Sequence, residues 1–211
     1  MTQVLLFSCG DLDVLKQLKE RLFGNHPEKL KVVCITTAAN VYAEDARDWQ
    51  KSEMDTFREF GFRLDTFDLL GKTPQQVQNY LADADVIYVT GGNTYYLLEQ
   101  AQKSGFVEIA REHINQGKLY IGCSAGAVLA CHAVDFIQNM DDPSKGNPSG
   151  FKAINALQYN LFPHADHYKY GPQVERIASS IDNGYPNILL GDNQALLIQG
   201  DKLEILEAPK A

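Results

Sequence analysis

The stretch Lys118-Leu119-Tyr120-Ile121-Gly122-Cys123-Ser124-Ala125-Gly126-Ala127-Val128-Leu129-Ala130-Cys131 decides the fold. Its first third is a short apolar run that reads as a strand. Its last third reads as the start of a helix. Between them lies G-x-S-x-G, a serine on a tight strand-to-helix turn with glycines on either side to leave room for the chain reversal and for a ligand. Such a turn lifts the hydroxyl clear of the backbone. It also aims the next N–H, that of Ala125, at the place where an oxyanion would form. Small residues at a strand–helix junction also serve plain close packing, so the motif needs its surroundings.

Upstream, apolar runs alternate with amphipathic stretches. Strands are expected at Val4–Ser8, Lys31–Thr36, Arg63–Asp68 and Val86–Thr90. Helices are expected at Leu12–Phe23, Ala43–Phe60, Pro74–Leu81 with Thr73 as N-cap, Thr94–Lys103 and Phe106–Gln116. The stripe Ala46, Trp49, Met54, Phe57 and Phe60 is the expected buried face of the second helix. This βαβα rhythm implies an α/β protein with a mainly parallel sheet covered on both faces. Downstream the pattern loosens through the polar loop 141–150. A helix over Pro172–Asp182 and closing strands at Ile188–Leu190, Ala195–Gln199 and Lys202–Leu206 follow, the last two joined by a Gly200-Asp201 turn. There is no internal repeat, and one domain over residues 1–211 is expected.

The whole-chain balance narrows the class. With 211 residues, 45% hydrophobic and 22% charged, the chain is sized and composed for an ordinary core. A formal net charge of −8 argues against a nucleic-acid surface. No apolar run reaches a membrane span, and the first residues do not read as a signal peptide. Cys9, Cys34, Cys123 and Cys131 show no C-x-x-C spacing, so free thiols in the cytoplasm are expected. His164 and His167 are spaced as two metal ligands could be, but no carboxylate or cysteine set completes a zinc site.

Active sites of open parallel sheets lie at the C-terminal strand ends. Besides the turn at Ser124, one other strand ends unusually, in Gly91-Gly92-Asn93-Thr94. If that loop lies beside Ser124, the amides of Gly92 and Ala125 form an oxyanion hole; a cap at Asn93 or Thr94 is compatible with this. A serine nucleophile needs a base. His164 follows Leu161-Phe162-Pro163, which delivers the imidazole at a strand end; His167 is the second choice. The orienting carboxylate is sought among Asp135, Asp141 and Asp142, between serine and histidine.

Together, Val89-Thr90-Gly91-Gly92-Asn93-Thr94-Tyr95-Tyr96-Leu97-Leu98, Tyr120-Ile121-Gly122-Cys123-Ser124-Ala125-Gly126-Ala127 and Pro163-His164 resemble the peptidase E family of serine peptidases, with cyanophycinase as a more distant relative. The resemblance implies a three-layer α/β/α fold related to class I glutamine amidotransferases, and serine-based hydrolysis of short peptides with neither metal nor cofactor. It implies Ser124 as nucleophile, His164 as base, Gly92 and Ala125 as the oxyanion hole, and an acid placed at Asp141. Asn93 and Gln173 are expected to contact substrate. Aspartyl-specific members carry an arginine where Gln173 falls here, with Arg176 one helical turn further on, so an aspartyl preference is not expected. Neither nucleic acid nor membrane is an expected partner, and a homodimer is left open. Two rival readings remain: a ligand-binding or regulatory relative with an incomplete triad, and an amidotransferase-like enzyme using Cys123.

Overall fold

A computed structural model describes residues 2–9, 13–24, 26–138 and 140–208. Its centre is a seven-stranded sheet. Five strands are parallel: β1 (Gln3–Phe7), β2 (Lys31–Ile35), β3 (Arg63–Phe67), β4 (Val86–Val89) and β5 (Leu119–Cys123). A separate parallel pair is formed by β6 (Asn160–Phe162) and β7 (Asn187–Leu189). The hairpin β8 (Gln194–Gln199) and β9 (Lys202–Glu207) closes the main sheet, with β8 antiparallel to β1, and the spatial order is β3-β2-β4-β5-β1-β8-β9.

Among the described residues, seven α-helices complete the layers: α1 (Asp13–Phe23), α2 (Asp48–Glu59), α3 (Pro74–Leu81), α4 (Thr94–Lys103), α5 (Phe106–Asn115), α6 (Ala125–Leu129) and α7 (Gly171–Ser180). Period-2 alternation along the strands divides the core in two. Val4, Leu6, Ile87, Val89 and Tyr120 pack against α3 to α7. Leu5, Phe7, Val86, Tyr88, Ile121 and Cys123 pack against α1 and α2. The expected three-layer α/β/α arrangement with a mainly parallel sheet is what forms.

The sequence boundaries hold to within a residue or two for most elements, and the Thr73–Gln76 capping box starts α3 as expected. Leu12, the expected start of the first helix, lies outside the described residues. Two expectations fail. The 187–189 segment does not join the main sheet; it pairs with β6. The second helix begins at Asp48, after a short turn at Glu44–Ala46, and its buried face is Gln50, Glu53 and Phe57. Ala46 is exposed and Trp49 keeps 36% of its surface. Of the expected stripe, Phe57 is buried and Met54 and Phe60 pack partly against the core, while the buried polar side chains Gln50 and Glu53 stand where Ala46 and Trp49 were expected to contribute.

No helix among the described residues is long and apolar enough to cross a membrane.

Candidate active site

The sheet's C-terminal edge carries the turn at Ser124. The serine has φ 47 and ψ −107, a conformation that non-glycine residues rarely adopt and that is retained when the surroundings hold it. The surroundings do hold it. The Ser124 N–H donates to Phe7 O at 3.0 Å, and Val128 N–H donates back to Ser124 O at 2.9 Å. The Tyr120 hydroxyl donates to Gly126 O at 2.7 Å. Glycine is needed on both flanks for a steric reason: a Cβ on Gly122 would meet the Gly126 backbone, and one on Gly126 would meet the Val89 backbone.

His164 arrives from β6 through Pro163 and also has positive φ, 63. Its Nε2 lies 3.0 Å from Ser124 Oγ and its Nδ1 lies 2.7 Å from Asp192 Oδ1. A carboxylate at Nδ1 fixes the proton there, leaving Nε2 to accept from the serine. The backbone brackets the ring as well. His164 N–H donates to Ser8 Oγ at 2.6 Å, and Ser8 Oγ–H donates to Asp192 Oδ1 at 3.2 Å. Asp192 is held in turn by its own N–H donating to Asp166 Oδ1 at 2.6 Å. Ser8 is fully buried, so its hydroxyl links the end of β1 to both His164 and Asp192.

The carboxylate at His164 is therefore Asp192, and the expectation of Asp141 is corrected. Asp141 accepts from Thr94 N–H at 2.6 Å and from Asn93 Nδ2 at 2.8 Å, which makes it a charged cap on the N-terminus of α4. Burial pushes its carboxyl above the usual range, against the pull of those donors. Asp142 caps the turn at Pro143–Lys145 by accepting from Ser144 N–H, and Asp135 is exposed. Asp192 sits beyond the histidine, so a search confined to the interval between serine and histidine passes it over. The available signal was a carboxylate directly after Leu190-Gly191, in the turn before a strand.

The Gly91-Gly92 loop does lie beside Ser124: a Cβ on Gly91 would stand 3.3 Å from Ser124 Cβ. Gly92 has φ 138, and a side chain there would strike the Ala38 backbone. Among the described residues no acceptor takes the N–H of Gly92 or of Ala125. Asn93 is a correction of another kind. It is 1% exposed; its Oδ1 accepts from Tyr96 N–H and its Nδ2 donates to Asp141 and to Asp142 O, so its side chain is spent on capping α4. Gln173, on α7, does line the cleft.

That cleft holds about 970 Å³ and straddles the strand ends. One side carries Trp49, Ser52, Glu53 and Thr56 of α2; the other carries Val128, Ile137, Met140, Tyr170 and Val174. His167 also lines it, stacked on Tyr170 at 4.6 Å between centroids, while His164 holds the position next to Ser124. Cys123 is no rival nucleophile here. Burial first, and the Glu53 carboxyl next to it, push its thiol well above the usual range, so it stays protonated.

Comparison with known proteins gives the family. The model of Peptidase family S51 matches residues 4–206. The chain belongs to peptidase family S51. It is 27% identical over 185 residues to an uncharacterized peptidase of Pasteurella multocida, covering 85% of this chain and 86% of that one. A peptidase E of Shewanella baltica is 34% identical over 140 residues, 63% of this chain and 56% of its own length. Among solved structures, a Listeria monocytogenes protein described as a candidate peptidase E superposes with a TM-score of 0.87 at 26% identity, covering 98% of both chains. The peptidase E resemblance read from the three motifs is thereby borne out at the level of the family.

Proposed function

We propose that this member of the S51 family is a serine exopeptidase of the dipeptidase type, acting on short peptides through Ser124, His164 and Asp192. The observation that carries the reading is the unbroken relay from Ser124 Oγ to His164 Nε2 at 3.0 Å and from His164 Nδ1 to Asp192 at 2.7 Å. Ser124 attacks the scissile carbonyl as His164 takes its proton. The N–H groups of Gly92 and Ala125 receive the developing oxyanion. His164 then protonates the leaving amine, and a water molecule, activated by the same imidazole, releases the acyl group. Asp192 stabilises the imidazolium throughout, with the Ser8 hydroxyl keeping its Oδ1 in place. Gln173 contacts the acyl-side residue of the substrate. Buried thiols at Cys34, Cys123 and Cys131 fit a reducing, cytoplasmic compartment.

The test is a dipeptide-library hydrolysis screen of the purified protein, with Ser124→Ala as the blank and a fluorophosphonate probe alongside. Wild type is expected to hydrolyse a subset of the library and to label at Ser124. The Ser124→Ala protein should lose about 10⁴-fold or more in turnover and all labelling. A wild type that neither labels nor hydrolyses would favour the ligand-binding reading instead.

A further inference from the structure

Helix α2 turns two polar side chains toward the core, where apolar ones would fill the space at less cost. Gln50, 6% exposed, donates from Nε2 to Thr36 O at 3.0 Å and to Thr90 Oγ1 at 2.9 Å. Glu53, 3% exposed, accepts from the Tyr88 hydroxyl with one oxygen and from Cys123 Sγ–H at 3.4 Å with the other. No lysine, arginine or histidine among the described residues forms an ion pair with it. A buried carboxyl without a cation is expensive. Burial pushes Glu53 up to about 7.

What Glu53 grips gives that expense a purpose. Cys123 is the residue before Ser124. Tyr88 stands on β4, just upstream of the Gly91-Gly92 loop. The two strands are parallel neighbours, with Tyr88 opposite Ile121. One carboxyl on α2 therefore ties together the strand that ends in the serine and the strand that ends in the proposed oxyanion loop. Gln50 adds a bond to Thr90, the residue before that loop.

We propose that Glu53 is a positioning residue, which fixes Ser124 relative to the Gly92 and Ala125 amides by holding Cys123 and Tyr88 from the α2 wall of the cleft. This rests on the Ser124 chemistry proposed above. It acts through other residues and adds no chemical step. Misplacement of reacting groups by about 1 Å costs on the order of 100-fold in rate, so loosening this tie should be visible in turnover.

The experiment compares wild type with Glu53→Leu, Glu53→Gln and Tyr88→Phe, using thermal unfolding, kcat and KM on a dipeptide from the screen, and the rate of fluorophosphonate labelling at Ser124. Glu53→Leu removes the tie and the buried carboxyl together. It is expected to unfold at the same temperature or higher at pH 8, while kcat and labelling rate fall roughly 10- to 100-fold and KM stays within about threefold. Glu53→Gln keeps an acceptor for Tyr88 and offers an N–H to Cys123, and should restore kcat to within about threefold of wild type. Tyr88→Phe removes one bond only and should lower kcat by roughly 3- to 10-fold, which keeps the idea testable if Glu53→Leu does not fold. A folded Glu53→Leu protein with kcat within twofold of wild type overturns the proposal. So does a parallel loss of melting temperature and kcat that Glu53→Gln does not rescue, since that is the mark of a purely structural bond. A wild type that fails to label or turn over overturns the Ser124 chemistry itself, and this proposal with it.

Discussion

Replacing Glu53 by Gln should change how stability depends on pH, by an amount that follows from the burial of one carboxyl. In the folded protein Glu53 is lifted from 4.5 to about 7, desolvation outweighing the hydrogen bonds from Tyr88 and Cys123. Its folded value lies above its unfolded value, so between pH 4.5 and 7 the folded state holds a proton that the unfolded state has lost. The contribution is fully present below about pH 4.5 and is lost as pH rises through 7. At about 1.4 kcal/mol per pH unit, the loss between pH 5 and pH 8 is about 2 to 3 kcal/mol. His113 masks it in the wild type. That ring, buried against Leu119 O, is pushed down to about 4, chiefly by desolvation, and its contribution runs the other way, being lost as pH falls from 6.5 toward 4. The two slopes oppose each other between pH 4.5 and 6.5, so wild-type stability alone is uninformative there. The difference between Glu53→Gln and wild type cancels His113 and every other shared group. Urea unfolding of both proteins at pH 5 and pH 8 should show that difference moving in favour of the variant by about 2 to 3 kcal/mol, or roughly 5 to 10 °C in melting temperature for a chain of this length. A difference that stays constant to within about 0.5 kcal/mol would mean that Glu53 titrates as an exposed glutamate does, and the argument from burial would be refuted.

Asp192→Asn should lower kcat by roughly 10³-fold or more, because an amide cannot stabilise the imidazolium and can select the wrong tautomer of His164. Asp141→Asn should instead lower stability by about 1 kcal/mol through the weakened cap of α4 and keep turnover within about tenfold; steady-state kinetics with parallel melting curves separate the two, and the reverse ranking would return the acid to Asp141. Gly92→Ala should lose about 10²-fold or more in kcat, since its Cβ would meet the Ala38 backbone and displace the amide proposed to receive the oxyanion; activity near wild type would remove Gly92 from that proposal. Gln173→Arg should raise kcat/KM for Asp-Leu relative to Ala-Leu by roughly 10-fold, as a guanidinium pairs with a carboxylate where a neutral amide does not; a wild type already preferring Asp-Leu by two orders of magnitude would contradict the assignment.

The parts of this molecule that are legible from sequence are those set by local pattern. The strands β1, β2, β4 and β5 show because buried parallel strands are nearly continuous apolar runs, and Thr73, Pro74 and Gln76 start α3 by chemistry that is entirely local. The turn at Ser124 shows because its glycines are forced by backbone contacts within a few residues and with β4. What stays hidden is settled by partners far along the chain. Asp192 meets His164 across 28 residues and Ser8 across 184. Asn93 reads as a substrate contact until Asp141, 48 residues on, is seen to occupy its amide. Gln50 and Glu53 look like the solvent side of an amphipathic helix, because nothing nearby announces that Thr90, Tyr88 and Cys123 await them. For the same reason β7 is read as part of the main sheet: its apolar residues suit either neighbour, and only β6 decides.

The hairpin at the edge of the sheet has a consequence for when this protein becomes able to act. Asp192 leads into β8, and β8 finds its place by lying antiparallel along β1. A ribosome that has released everything through α7 has already made the five parallel strands, the serine and the imidazole, yet the ring still lacks its carboxylate. On the proposed relay, competence waits for the 192–207 segment to emerge and dock against β1. With Asp192 in the role proposed for it, a chain stopped before that segment would hold the serine and the imidazole without the carboxylate, and its core would lack Ala195, Leu196 and Leu197 as well.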